Sequence, residues 1–85
     1  MQENTDKTAP ESAAEWYDSG VSLRRQARFG EAVNAFKTAI ELAIAEEDRG
    51  ELPSDEAMLI VSRAEASVEL IREINSFVNA DLMNP

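Results

Sequence analysis

The sequence contains neither cysteine nor histidine, and glycine and proline occur only three times each in its 85 residues. Without cysteine, no disulfide can stabilise the fold, and thiols give no information on the redox compartment. Without histidine, the chain lacks the commonest general base and a usual zinc ligand. Its serines therefore have no activating base, and carboxylate pairs such as Glu46 and Glu47 lack the loop pattern of a calcium site. We expect no enzyme activity, no metal and no cofactor.

Positive charge is also scarce, since the chain has 8 Lys and Arg residues and 17 Asp and Glu residues, which gives a net charge of −9. Such a chain repels phosphate backbones and anionic membranes, so nucleic acid and membrane surfaces are not expected partners. No stretch has the long uncharged apolar run of a membrane span. The N-terminus, MQENTDKTAP, lacks the basic and apolar blocks of a secretion signal. A cytoplasmic location is the expectation.

The length corresponds to one small domain. Residues 1–11 are polar and have no apolar periodicity, so a disordered tail is predicted there. The remaining residues, 12–83, are predicted to form a single three-helix domain. Its size is close to the lower limit at which one hydrophobic core stabilises a fold.

Two amphipathic helices, joined by a tight turn at residues 28–30, are predicted between Trp16 and Ile44. Ser12 and Glu15 have the spacing of a capping box, which predicts a first helix from Ala13 to about Ala27. The second helix is expected from about Glu31 to Glu47, with Gly30 easing the backbone of the turn. Apolar and small residues at steps of three and four predict the seam between the helices: Trp16, Gly20, Leu23, Ala27, Phe29, Ala32, Phe36 and Ala39.

The spacing of these seam residues, together with the turn sequence ARFGEA (27–32), resembles a tetratricopeptide repeat, a helix-turn-helix unit of about 34 residues. The resemblance covers one repeat, about a third of the chain. It implies an all-α fold in which an antiparallel hairpin packs against a following helix. It also implies that one side of the first helix belongs to a peptide-binding surface.

A long third helix is predicted after Pro53, with Ser54 as its cap and about Ala80 as its end. At about 26 residues, or about 39 Å, it exceeds either helix of the hairpin, so its far end should overhang, curve or meet another chain. Its apolar stripe includes four residues assigned to self-association into a homodimer: Ile71, Asn75, Val78 and Leu82. Leu70 and Phe77 lie off the centre of this stripe. Packing of the whole stripe on the second helix is the alternative.

The candidate binding surface lies on the side of the first helix turned away from the seam. Five residues form it, an aromatic, an aliphatic and three cations: Tyr17, Val21, Arg24, Arg25 and Arg28. Arginine binds carboxylates in a bidentate manner, so an acidic protein segment or peptide is the expected partner. The lysine and asparagine of the family's carboxylate-clamping members are absent from this surface, so that particular activity is not implied. In the alternative interpretation, Tyr17 and Val21 pack under the third helix, and the arginines pair with local acids such as Asp18 or Glu31.

Overall fold

The computed structural model describes the backbone of residues 10–83 and the side chains of residues 10–74. Three helices make up this part of the chain: α1, Ala13–Arg25; α2, Phe29–Asp48; and α3, Ser54–Met83. The all-α prediction is confirmed, because the described residues contain no strand. The central helix is α2, which packs on both of its neighbours, while α1 and α3 touch over a small area. The predicted tail falls mostly on residues 1–9, which lie outside the described residues.

The capping box at the start of α1 is confirmed. The Glu15 amide donates to the Ser12 hydroxyl at 3.2 Å, and the Glu15 carboxylate accepts from the Ser12 amide at 3.3 Å. The same carboxylate accepts a second, shorter bond of 2.7 Å from the Glu11 amide. These bonds satisfy amides that have no partner within the helix, so a local sequence signal fixes where α1 begins.

The end of α1 and the turn that follows differ from the prediction. The helix ends at Arg25 rather than Ala27, and α2 begins at Phe29, so Gly30 is inside α2 rather than in the turn. The residue with the left-handed backbone is Ala27, at φ 62°. It is also solvent-exposed, so the assignment of Ala27 to the seam is wrong. The physical reason is that the left-handed backbone of Ala27, just beyond the C-cap Gln26, cannot continue the helical face.

Both α1 and α2 end in the same hydrogen-bond pattern. After α1, the Arg28 amide donates to the Leu23 carbonyl at 2.9 Å and the Ala27 amide to the Arg24 carbonyl at 2.9 Å. After α2, the Glu51 amide donates to the Glu46 carbonyl and the Gly50 amide to the Glu47 carbonyl. This is the Schellman motif, whose left-handed position favours glycine. Gly50, at φ 76°, meets that preference after α2, whereas Ala27 does not after α1.

The two motifs give a matched pair of stability predictions. Ala27→Gly removes the steric cost of a left-handed alanine, so the free energy of unfolding should rise by up to about 1 kcal/mol. Gly50→Ala introduces that cost, and unfolding free energy should fall by about 1 kcal/mol. Urea denaturation followed by circular dichroism measures both changes. Shifts of the same sign in the two variants would contradict the assignment of equivalent helix ends.

Acidic residues at the C-terminal end of α2 accept hydrogen bonds from the first residues of the other two helices. The Glu46 carboxylate accepts from the Ala13 amide, the first amide of α1, at 2.9 Å. Glu47 accepts from the hydroxyl of Ser54, the first residue of α3, at 2.6 Å. At the C-terminal end of α2, an acidic side chain interacts unfavourably with the dipole of α2 itself. The same side chain stabilises the N-terminus of a neighbouring helix. The antiparallel arrangement brings two such N-termini here, which accounts for an acidic end of α2.

The core consists of two apolar clusters along α2. The first contains Phe36 at its centre, the small Ala32, and three residues of α3: Ala64, Val68 and Ile71. The second, towards the other end, joins Ala13, Ala43 and Ala57, one from each helix. Alanine dominates these contacts, so the helix backbones approach closely and the few large side chains fill the remaining space. Ala32, Phe36 and Ala39, which were assigned to the seam, are all fully buried.

Gly20 is the contact point that the sequence predicted. It is buried, and a β-carbon built on it would lie 2.7 to 2.9 Å from three atoms of the Phe36 ring. Real β-carbons do not approach ring carbons so closely, so α1 passes the phenylalanine only because this residue has no side chain. The predicted meeting of Gly20 and Phe36 across the hairpin is confirmed.

The third helix extends beyond the hairpin. It has 30 residues and α2 has 20, so α3 is longer by about 15 Å at the rise of an α-helix. The radius of gyration is 15.1 Å, whereas a compact domain of this length has one of about 11 to 12 Å. The described part of the chain is therefore elongated, with extents of 52, 37 and 13 Å along its principal axes.

Candidate protein-interaction surfaces

The arginine surface comprises Arg24 and Arg25 in the last turn of α1 and Arg28 in the turn that follows. Arg24 is half-buried and the other two are exposed. Arg28 forms a salt bridge to Glu31 at 2.7 Å, and its guanidinium also donates to the Gln26 side chain at 3.3 Å. Within residues 10–74, neither Arg24 nor Arg25 forms a salt bridge. The alternative pairing with local acids thus holds for Arg28, through a solvent-exposed bridge of small energetic weight.

The apolar part of the predicted surface belongs largely to the core. Tyr17 and Val21 are both half-buried and pack against the first apolar cluster. The Tyr17 ring lies 5.5 Å from the Phe36 ring, centroid to centroid, at an interplanar angle of 56°. The expectation that Tyr17 and Val21 face away from the seam is wrong. Both side chains pack against the first cluster, which contains Phe36 of α2 and three residues of α3. The part of Tyr17 and Val21 that a partner protein could contact is the exposed edge of these side chains, next to the arginines.

The remaining seam residues divide between core and surface. Leu23 and Phe29 are half-buried and pack against the first cluster, as predicted. Trp16 is half-buried too, but it belongs to neither of the two apolar clusters of the described residues. The large aromatic that fills the seam is Phe36, and Tyr17 rather than Trp16 is the aromatic of α1 packed on it.

The residues assigned to self-association are only partly described. Ile71 is fully buried against the hairpin and cannot contact a second copy, so its assignment is wrong. The side chains of Asn75, Val78 and Leu82 lie outside the described residues. The alternative was that the predicted apolar stripe of α3 packs on α2. It therefore holds for the part of that stripe from Ala57 to Ile71.

A second apolar surface on α3 was not predicted from the sequence. Leu59, Leu70 and Ile74 are 48%, 47% and 38% exposed, which is high for large aliphatic side chains. Ala66 is exposed as well. Their spacing, at steps of seven, four and four, places them along one side of the helix. We call these four residues the outer stripe, because they face away from α2. The spacing was visible in the sequence, but the burial of the opposite face was needed to show that this one is uncovered.

A shallow groove of about 350 Å³ lies between α2 and α3. Ile40 and Val68 form its apolar floor, and Lys37, Glu65, Glu69 and Arg72 surround it. All four charged side chains are exposed, and two of them are basic and two acidic. The groove is open to solvent, and the charges beside it are of both signs.

Arg49 and Glu51 form a salt bridge in the turn before α3, with a nitrogen–oxygen distance of 3.0 Å. The hydrogen bonds from Arg49 lower the pKa of the Glu51 carboxyl, and this carboxyl in turn raises the pKa of the Arg49 guanidinium. Both groups are fully exposed. This pair links two residues of the turn before α3 through two hydrogen bonds of 3.0 Å.

In comparisons with known proteins, no family model, no curated protein and no solved structure matches the chain. Among the described residues, none of the three helices combines the length and the apolar content needed to cross a bilayer.

Proposed function

We propose that this chain is a non-enzymatic, tetratricopeptide-like interaction module that binds an acidic segment of another protein in the cytoplasm through its arginine surface. The observation that carries the proposal is the concentration of three of eight basic residues at one end of α1, in a chain with 17 acidic residues. Arginine at this density favours bidentate contacts to carboxylates. The exposed edges of Tyr17 and Val21 beside the arginines add apolar contact area.

A purely structural role for these arginines is the competing explanation. Cations in the last turn of a helix interact favourably with its dipole, typically by about 0.3 to 1 kcal/mol. Arg24 and Arg25 occupy that position. Lysine in their place would preserve this interaction but lose the planar fork that holds a carboxylate, so the two roles can be separated by experiment.

The proposal predicts that Arg24→Glu with Arg28→Glu weakens binding of a fluorescein-labelled, Asp- and Glu-rich decapeptide at least tenfold in fluorescence anisotropy. The double lysine variant should weaken it several-fold, because the charge remains and the bidentate contact is lost. Circular dichroism should stay unchanged in both, since the Arg28–Glu31 bridge is exposed and contributes little.

The matched control is Lys37→Glu with Arg63→Glu. It changes the net charge by the same amount at exposed positions on α2 and α3, away from the arginine surface. Binding should remain within about threefold of wild type, reflecting only general repulsion. Equal losses in the two glutamate variants would show that the peptide responds to overall charge, and the proposed site would then be abandoned.

A second candidate function is self-association through the end of α3. The supporting observation is that α3 is ten residues longer than α2. An overhanging helix of this kind can pair with a second copy. Sedimentation velocity of the intact chain at high micromolar concentration is the measurement, and a monomer there contradicts this candidate.

A further inference from the structure

The third helix is apolar on two opposite sides, and the hairpin covers only one of them. Ala57, Ala64, Val68 and Ile71 are buried against α2, with at most 7% exposure. On the other side, the outer stripe of Leu59, Ala66, Leu70 and Ile74 faces solvent. A helix that is apolar on two sides is normally packed between two neighbours. The described part of the chain supplies one neighbour.

We infer that the outer stripe of α3 binds a basic amphipathic helix of a partner protein. Leu59 and Ile74 are 15 positions apart, so the stripe is about 22 Å long, which about four turns of a helix can cover. Its side chains form a ridge at steps of seven, four and four residues, a spacing that fits between the side chains of another helix.

The charged residues beside the outer stripe determine which kind of partner helix would bind there. Three exposed carboxylates, Asp55, Glu56 and Glu73, border the stripe, and within residues 54–74 Arg63 is the single cation beside it. A partner helix with lysine or arginine beside its apolar face would neutralise these carboxylates, while an acidic helix would be repelled. A second copy of this chain would bring another net charge of −9 and the same acidic borders. Electrostatic complementarity therefore favours a basic partner over self-pairing.

This surface is separate from the arginine surface, and it selects the opposite charge. The stripe lies on the side of α3 that faces away from the hairpin, whereas the arginines lie at the end of α1. The two interactions are thus independent, and loss of one leaves the other testable.

The test uses an 18-residue synthetic peptide with leucines at steps of four and three and lysines elsewhere, titrated into the intact chain by isothermal calorimetry. A peptide with glutamate in place of lysine is its counterpart. We expect the lysine peptide to bind and the glutamate peptide not to bind. Leu59→Ser with Leu70→Ser should weaken binding of the lysine peptide at least tenfold, because two large apolar contact residues are lost while the charge of the protein is unchanged.

Met58→Ser is the matched control, because Met58 is 68% exposed on the same helix but lies about 100° around it from Leu59. The affinity of the Met58→Ser variant for the lysine peptide should stay within twofold of wild type. Backbone amide shifts in NMR spectra should change around residues 59–74 rather than residues 24–28. Because all three substituted residues are exposed, the variants should fold normally, which circular dichroism verifies.

Three results would overturn the inference. The first is equal binding of the lysine peptide by wild type and the double serine variant, which would indicate general attraction to an acidic protein. The second is equal binding of the lysine and glutamate peptides by wild type. The third is a wild-type dimer in sedimentation that the double serine variant converts to a monomer, because the occupant would then be a second copy.

Discussion

Replacing Phe36 by alanine should lower the free energy of unfolding by about 3 to 5 kcal/mol. Phe36 is fully buried and is one of the two largest side chains that solvent cannot reach, the other being Ile71. Its ring fills the space over Gly20 of α1, packs on Tyr17, and belongs to the cluster that includes Ala64, Val68 and Ile71 of α3. One substitution therefore opens a cavity where all three helices meet.

The size of this loss matters because the domain is small. A domain of this length has a total stability of about 4 to 11 kcal/mol at typical values per residue. The variant should therefore unfold at much lower urea concentration, as measured by circular dichroism at 222 nm. Phe29→Ala is the comparison, and it should cost less because Phe29 is only half-buried. A cost below about 1 kcal/mol for Phe36→Ala would show that the cavity collapses freely, against the packing described here.

Gly20→Val is expected to destabilise the domain by about 2 to 3 kcal/mol, because overpacking a filled core typically costs about 1 to 3 kcal/mol. Two effects oppose each other in this variant. Valine has a better helix propensity than glycine by a few tenths of a kcal/mol. Its β-carbon, however, would lie less than 3.0 Å from the ring of Phe36, which is buried and has little freedom to move. The steric term is larger, so a net loss follows, measured by the same urea denaturation.

Gly30→Ala is the control for this prediction. Gly30 is also inside a helix, but a β-carbon there would meet nothing within 4 Å. Only the propensity term remains, so this variant should gain up to about 1 kcal/mol. Gly20→Val should also cost less in a Phe36→Leu background, since the two sites share one space. If Gly20→Val proved as stable as wild type, the close approach of α1 and α2 would be refuted.

The features that the sequence predicted correctly are those that depend on local pattern. The capping box at Ser12 and Glu15 involves neighbours in the chain, so its spacing was sufficient to place the start of α1. The period of small and aromatic residues identified the hairpin, and a glycine inside a helical pattern indicated the contact with Phe36. The third helix followed from an uninterrupted amphipathic stretch.

The features that the sequence did not predict depend on how the helices pack. Gly30 was the expected turn residue, but α1 ends earlier, and the left-handed position falls on Ala27. Tyr17 and Val21 have the spacing of an outward face, and only the position of the first cluster shows that they border the core. The outer stripe illustrates the same limit, because periodicity reveals two apolar sides of α3 without showing which one α2 covers.

The hydrogen bond between the Ala13 amide and the Glu46 carboxylate joins residues 33 positions apart. The first turn of α1 is thus completed by a group from the last turn of α2, and Ala13 and Ala43 share one apolar cluster with Ala57. Fraying of either helix at this end removes the partner of the other. Local opening there should accordingly be a cooperative event that involves the ends of all three helices, rather than three separate ones.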